Sequence, residues 1–257
     1  MTLGGFLIAT TPDSTLAEKN KKCYNFGIMK EGKLYIIATP IGNLGDITKR
    51  AAETLAAVDY VACEDTRVAG NLLKNLGIKK SLISLHQHSS EKRIDFIIRE
   101  LEAGKSVAYV SDSGTPSISD PGQKLVKTIQ QFGNLTIAPV PGPSALTAAI
   151  SVSGIVDKEF YFAGFLPKKK GRETWFKMAS LFHCPIVIYE SAARLERILN
   201  DIKKFFGNDA AVFLAREMTK KFEEYWGGNV NDVIKNLRDH KIKGEFVVII
   251  KKAENRA

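Results

Sequence analysis

Cysteine is scarce in this 257-residue chain: Cys23, Cys63 and Cys184 are far apart and odd in number. No Cys-x-x-Cys pair occurs, which argues against a zinc knuckle or a disulfide framework and suits a reducing cytoplasm. No apolar run approaches the roughly 18 residues that a membrane-spanning helix needs. Also missing are a Gly-x-Gly-x-x-Gly after the first strand, a Walker A loop and a Gly-x-Ser-x-Gly elbow. An ordinary dinucleotide site, a P-loop and a hydrolase elbow are therefore unsupported.

What is present is an ordinary globular composition, 44% apolar and 25% charged, with an uneven net charge of +9. Residues 1–28 carry three basic and two acidic groups, residues 29–150 fourteen and twelve, and residues 151–257 twenty and fourteen. The basic surplus thus gathers in the second half, as expected of a protein that meets a polyanion such as RNA or of a lysine-rich solvated face. Residues 1–28 read as an extension outside the fold. Their apolar stretch, Leu3–Ala9, precedes the lysines of Lys19–Lys22, the reverse of a signal peptide. Met29, just before the first strand, is the expected natural start.

From residue 33, strand and helix patterns alternate. Strands are expected at 34–39, 60–63, 82–85, 106–111 and 136–140. Helical faces follow them, the first opened by Asp46 and carrying Ile47, Ala51, Leu55 and Val58. Such alternation predicts an α/β domain, residues 29–152, with a parallel sheet and ligands at the carboxyl ends of its strands. Residues 153–257 have strand candidates at 160–164, 186–189, 211–215, 224–227 and 246–250, less regularly spaced by helices. They predict a second, mixed α+β domain.

Four loops after successive strands are rich in small residues and proline: Thr39–Asp46, Cys63–Arg67, Ser111–Gly122 and Pro139–Ala145. Small residues let backbone approach a ligand closely, and proline keeps the turns stiff. Singly these are ordinary turn chemistry; four in series at one sheet edge predict a binding site.

These loops resemble the signature loops of the ribosomal RNA small-subunit methyltransferase I family, cytidine 2′-O-methyltransferases within the tetrapyrrole methylases. The resemblance continues in order through Gly164–Pro167, Tyr189–Ser191, Leu214–Glu223 and Lys243–Phe246, covering residues 33–251. It implies a two-domain tetrapyrrole methylase fold with S-adenosylmethionine held in the cleft between the domains. It also implies a homodimer, and 16S ribosomal RNA of the 30S subunit as substrate. By position, cofactor contacts fall to Pro40, Asp112, Gly114, Pro116 and Ser144 in the first domain, and to Tyr189, Leu214, Ala215 and Gly244 in the second. Two departures stand out. The family's Glu-Ser-Pro-His-Arg is Glu190-Ser191-Ala192-Ala193-Arg194 here, and the chain stops at Ala257, short of the family's helical tail.

Methyl transfer to a ribose hydroxyl calls for positioning and for a base near a very weak acid. Asp65 is the first candidate base, with Glu64 beside it and Arg67 as an orienting or phosphate-binding group. Neighbours on a strand end point to opposite faces, so one of the two acids enters the cleft. The structural alternative is an Asp65–Arg67 ion pair capping the next helix. Asp112 serves the cofactor or an Asx-turn. His86 and His88, two residues apart, lack a third ligand nearby and predict no metal. Lys168, Lys169, Lys170 and Arg172 form a basic loop suited to RNA phosphates, while Trp175 and Phe176 after it read as core. Lys220 and Lys221 make a second basic patch, unless Glu217 and Glu223 neutralise them. Two other functions remain open: a small-molecule, tetrapyrrole-like methyltransferase, and a non-catalytic RNA-binding assembly factor.

Overall fold

The computed structural model describes residues 32–86 and 91–253. The expectations for residues 1–28, for Met29 and for His88 lie outside these residues. Five strands, β1 (Lys33–Ile37), β2 (Tyr60–Cys63), β3 (Ser81–Ser84), β4 (Val107–Val110) and β5 (Thr136–Val140), form one sheet in the order β3-β2-β4-β1-β5. Every pairing in it is parallel. The central strand β4 is buried throughout, and its side chains alternate between two cores as the pleat requires. Val107 and Tyr109 pack under α3 (Glu91–Glu102) and α4 (Gly122–Gln131). Ala108 and Val110 pack under α1 (Lys49–Ala57) and α2 (Thr66–Asn75).

That division of helices places the site. The chain leaves β1 over one face through α1 and leaves β4 over the other face through α4, although β1 and β4 are neighbours. Their following loops diverge, and a crevice opens between them at the carboxyl edge, where ligands of such sheets bind.

The start of α1 differs from expectation. Asp46 ends a short 3-10 turn, Leu44–Asp46, because the Asn43 side chain accepts the Gly45 amide at 2.9 Å. Ile47 is extended, and Thr48 caps α1 by accepting the Ala51 amide at 3.1 Å.

After α5 (Ala145–Ser153), a second sheet is built from β6 (Tyr161–Phe165), β7 (Ile186–Ser191), β8 (Ala211–Arg216), β9 (Glu224–Asn229) and β10 (Glu245–Lys251). Its order is β6-β7-β10-β8-β9, parallel between β6 and β7 and antiparallel elsewhere. One face lies under α6 (Arg172–Ala179), α7 (Ala192–Phe206) and α8 (Val230–Asn236), around Phe176, Ile188, Leu214 and Val248. The other face, with Val187, Ala215, Val247 and Ile249, packs on α5 and on Ile41 of the β1 loop. This explains the near-continuous apolarity of α5: it is packed against the second sheet while belonging in sequence to the first. Trp175 and Phe176 belong to the core as expected. Among the described residues, no helix is long and apolar enough to cross a membrane.

Candidate active site

The crevice beside β1 and β4 is held by short backbone contacts. The Thr39 amide donates to the Gly114 carbonyl at 2.9 Å, and the Ser111 hydroxyl donates to the same carbonyl at 3.1 Å. Gly114 has φ +81°, and a Cβ there would sit 3.1 Å from Ile41 Cγ2, so only glycine fits without strain. Thr115 Oγ1 donates to the Pro143 carbonyl at 3.0 Å, tying this loop to the one after β5. Asp120 fastens the far end of the loop. Its carboxylate accepts the Tyr109 hydroxyl at 3.0 Å and the amides of Gly122 and Ser117 at 2.8 and 2.7 Å.

The wall supplied by the second sheet follows from strand register. Val247 lies opposite Tyr189 on one side and Ala215 on the other, and Glu245 lies opposite Ser191. With Met218 and Phe165, these residues line a cavity of about 280 Å³ that Ile41, Ser113 and Ala145 close from the first sheet. A second cavity of about 130 Å³ adjoins it through Ser113 and Tyr189 and reaches Glu64, Asp112, Gly114, Asp120 and Ser144. Together they reach the roughly 300–1,000 Å³ of small-molecule sites. The Tyr189 ring is held edge-on by Phe162 and Phe165, with centroids at 5.0 and 5.6 Å.

Two carboxylates on neighbouring strand ends face the smaller cavity. Cys63 and Val110 are paired in register; Glu64 follows Cys63 directly and Asp112 follows Val110 after Ser111, and the two carboxylates line the same cavity. Burial, then the charges of Asp112, Asp120 and Asp65, push the Glu64 carboxyl above its ordinary value. Burial also raises Asp112, which accepts the Asp65 amide at 3.1 Å. Nearby Cys63 is pushed up to about 12, by burial first and then by Asp112 and Asp65, and is no nucleophile at neutral pH.

Asp65 takes the structural alternative. It caps α2 by accepting the Arg67 amide at 2.8 Å, and it accepts Arg67 Nε at 3.0 and 3.1 Å. The Arg67 side chain lowers the Asp65 carboxyl to about 2. Such a weak base is poorly matched to removing a hydroxyl proton. Of the two neighbouring acids, Glu64 lines the smaller cavity.

The other expected residues divide. Asp112, Gly114, Ser144, Tyr189 and Ala215 line the two adjoining cavities, and Pro40 lines a third, outer one with Gly42 and Lys220. Pro116 follows Thr115 in the same loop. Leu214 is fully buried in the core beneath the helices of the second sheet. Gly244, at φ +91°, accepts the Ala192 amide at 3.0 Å, and a Cβ there would meet Glu217 Cδ at 2.4 Å. It shapes the rim of the cavity rather than its wall.

Lys220 is half-buried between Glu217 Oε1 at 2.9 Å and Glu245 Oε2 at 2.8 Å, so it belongs to the cleft mouth. Burial disfavours the Glu217 charge, but Lys220 and the Glu245 amide outweigh it and the carboxyl is lowered. Lys221 is exposed, as are Lys168, Lys169 and Lys170. Arg172 corrects its expectation. It is buried, donates Nε to Asp201 at 2.7 Å and Nη1 to the Pro167 carbonyl at 3.3 Å, and holds the basic loop from behind instead of reaching RNA. Ser113, Met218 and Val247 were not singled out by sequence, whereas Glu217 pairs with Lys220 as the neutralising alternative had it. Only register shows that Val247 shares a face with Tyr189 and Ala215.

Residues 33–234 match the family of tetrapyrrole (corrin/porphyrin) methylases. A solved uroporphyrin-III-C-methyltransferase from Thermus thermophilus has the same fold. It has a TM-score of 0.61 at 18% identity, with 86% of this chain and 94% of that one covered. The fold is thus that of a tetrapyrrole methylase. Among curated proteins, the ribosomal RNA small subunit methyltransferase I of Thermotoga maritima is 46% identical over 219 residues, covering 85% of this chain and 98% of that protein. The Synechocystis protein of the same name is 42% identical over 220 residues, covering 85% and 78%. The chain belongs to the tetrapyrrole methylases and, within them, to the ribosomal RNA small subunit methyltransferase I family.

Proposed function

We propose that this chain methylates the 2′-hydroxyl of a cytidine ribose in 16S ribosomal RNA, using S-adenosylmethionine and acting on the 30S subunit in the cytoplasm as a homodimer. In this reading residues 29–152 and 153–257 are the two domains, and the cleft between their sheets is the active site. The observation that carries it is Glu64 beside Asp112 on neighbouring strand ends, both raised by burial, in a cavity continuous with an apolar one.

The cleft fits the cofactor by its chemistry. Gly114 leaves no room for a side chain, and Ala215, Met218 and Val247 offer an apolar floor beside the Tyr189 ring. Backbone of Pro40, Gly114, Pro116 and Ser144, with Asp112, Tyr189 and Ala215, holds the donor. When bound, its sulfonium supplies an already activated methyl group. Glu64 takes the proton of the ribose hydroxyl, and its raised carboxyl makes it the better base of the adjacent pair. Asp65 fixes the start of α2, and Arg67 stands at the rim where a phosphate passes. Lys168, Lys169, Lys170 and Lys221 supply exposed charge for the RNA backbone.

Labelled S-adenosylmethionine, incubated with the protein and 30S subunits, tests this reading. Label in 16S ribosomal RNA at a ribose that resists alkaline cleavage is the expected result. Label confined to a small acceptor, or binding without transfer, would overturn it.

A further inference from the structure

Beyond the cleft, the carboxyl edge of the first sheet carries another opening. A shallow groove of about 390 Å³ lies outside β2, lined by Thr66, Ile83, Ser84, Lys92, Arg93 and Phe96. Ser84 is paired in register with Cys63, the residue before Glu64. The groove therefore begins about one strand spacing, ~4.8 Å, from the strand that carries the base. Thr66 lies directly after Asp65 on the other bank.

The groove has the chemistry of a nucleotide subsite. The Arg93 guanidinium is anchored by donation to the Ser84 carbonyl, which fixes one positive charge at the strand end. Lys92 is exposed and has no partner among the described residues. The half-buried Phe96 ring is steadied edge-on by Tyr60, with centroids 5.8 Å apart, and lines the same groove. Of the acids nearby, Asp65 is taken up by Arg67, while Glu91 and Asp95 sit on α3 without lining the groove.

We propose that this groove binds a nucleotide flanking the methylated one in single-stranded RNA, with a phosphate on Lys92 and Arg93 and a base against Phe96. Single strands are held this way, by cationic contacts to the backbone and rings against bases. A ribose presented to Glu64 needs its strand anchored on at least one side, or the hydroxyl is not held for in-line attack. The proposal rests on the RNA reading above and assigns the strand a path across β2 and β3.

The test compares Lys92→Ala, Lys92→Glu and Phe96→Leu with the unaltered protein on 30S subunits, measuring kcat, KM for the subunit and KM for the methyl donor. The expected result is a KM for the subunit raised about tenfold in Lys92→Ala, the worth of one charge-assisted hydrogen bond. Lys92→Glu raises it further, and the donor KM stays unchanged. The slope of log affinity against log salt falls by about one in Lys92→Ala. Because Lys92 is exposed, these two variants keep the test valid if Phe96→Leu fails to fold. A subunit KM and salt slope unchanged in both Lys92 variants would overturn the groove. No RNA methylation by the unaltered protein would instead overturn the broader reading.

Discussion

Arg67 clasps Asp65 from the side while its own amide donates to the same carboxylate, with Nε at 3.0 and 3.1 Å and the amide at 2.8 Å from Asp65. The acid most conspicuous in the sequence is thereby spent on the start of α2. Asp65→Asn keeps an N-cap side chain and is expected to retain methyl transfer within about tenfold, whereas Glu64→Gln loses about 10²–10⁴ in kcat. Single-turnover assays at saturating donor compare them directly. Equal losses in the two variants would mean that Asp65 is the base after all. The pairing also sets a pH effect on stability. Asp65 falls from 3.8 unfolded to about 2 folded, so its contribution is complete above 3.8 and fades as pH drops toward 2. Asp65→Asn removes that dependence from acid unfolding curves.

Glu64 titrates above its ordinary 4.5 because it is buried among Asp112, Asp120 and Asp65. A base acts only when ionised, so kcat should rise with pH through this raised value. Asp112→Asn removes the foremost neighbouring charge and should shift the acid limb to lower pH at saturating donor. Glu64→Gln should abolish the limb. A limb that stays in place in Asp112→Asn would separate the two carboxylates.

The parallel sheet and its strand-end loops were legible because β4 and its neighbours are short apolar runs punctuated by glycine and proline. Less legible was what depends on a partner distant in sequence. Lys220 looks like a surface cation beside Lys221, yet Glu245, 25 residues on, draws it into the cleft mouth. Arg172 reads as one more charge in a basic run, yet Asp201 on α7 buries it. Asp46 has the composition of a helix cap, but Asn43 closes a 3-10 turn first and passes the cap to Thr48. The choice between Glu64 and Asp65 turned on direction, which sequence limits to one of two faces without saying which.

Gly42 is where the β1 loop meets the segment after β8. A Cβ there would lie 2.4 Å from Lys220 Cγ and 2.9 Å from Thr219 Oγ1. The lysine stem can yield, but doing so displaces its ammonium from Glu217 and Glu245 at the cleft mouth. Gly42→Ala is expected to weaken donor binding about tenfold while costing the fold only about 1–2 kcal/mol. Calorimetry for binding and thermal unfolding for stability separate the two effects. Undiminished donor affinity would show that this close approach does not support the cleft.

The basic loop allows a cleaner separation of charge from scaffold. Lys168, Lys169 and Lys170 are exposed, whereas the Arg172 side chain is only 5% exposed and paired with Asp201. Replacing the three lysines with alanine should leave unfolding nearly unchanged, weaken binding to 30S subunits and lower the salt slope by about three, one for each phosphate no longer neutralised. Arg172→Ala leaves Asp201 without its buried partner and should cost about 3 kcal/mol of stability. Arg172→Lys restores charge but not the fork that reaches both Asp201 and the Pro167 carbonyl, so it should recover only part of that loss. The salt slope of folded Arg172→Ala should match that of the unaltered protein, since the Arg172 guanidinium is buried against Asp201. A slope lowered by about one in folded Arg172→Ala would return Arg172 to the RNA-binding surface.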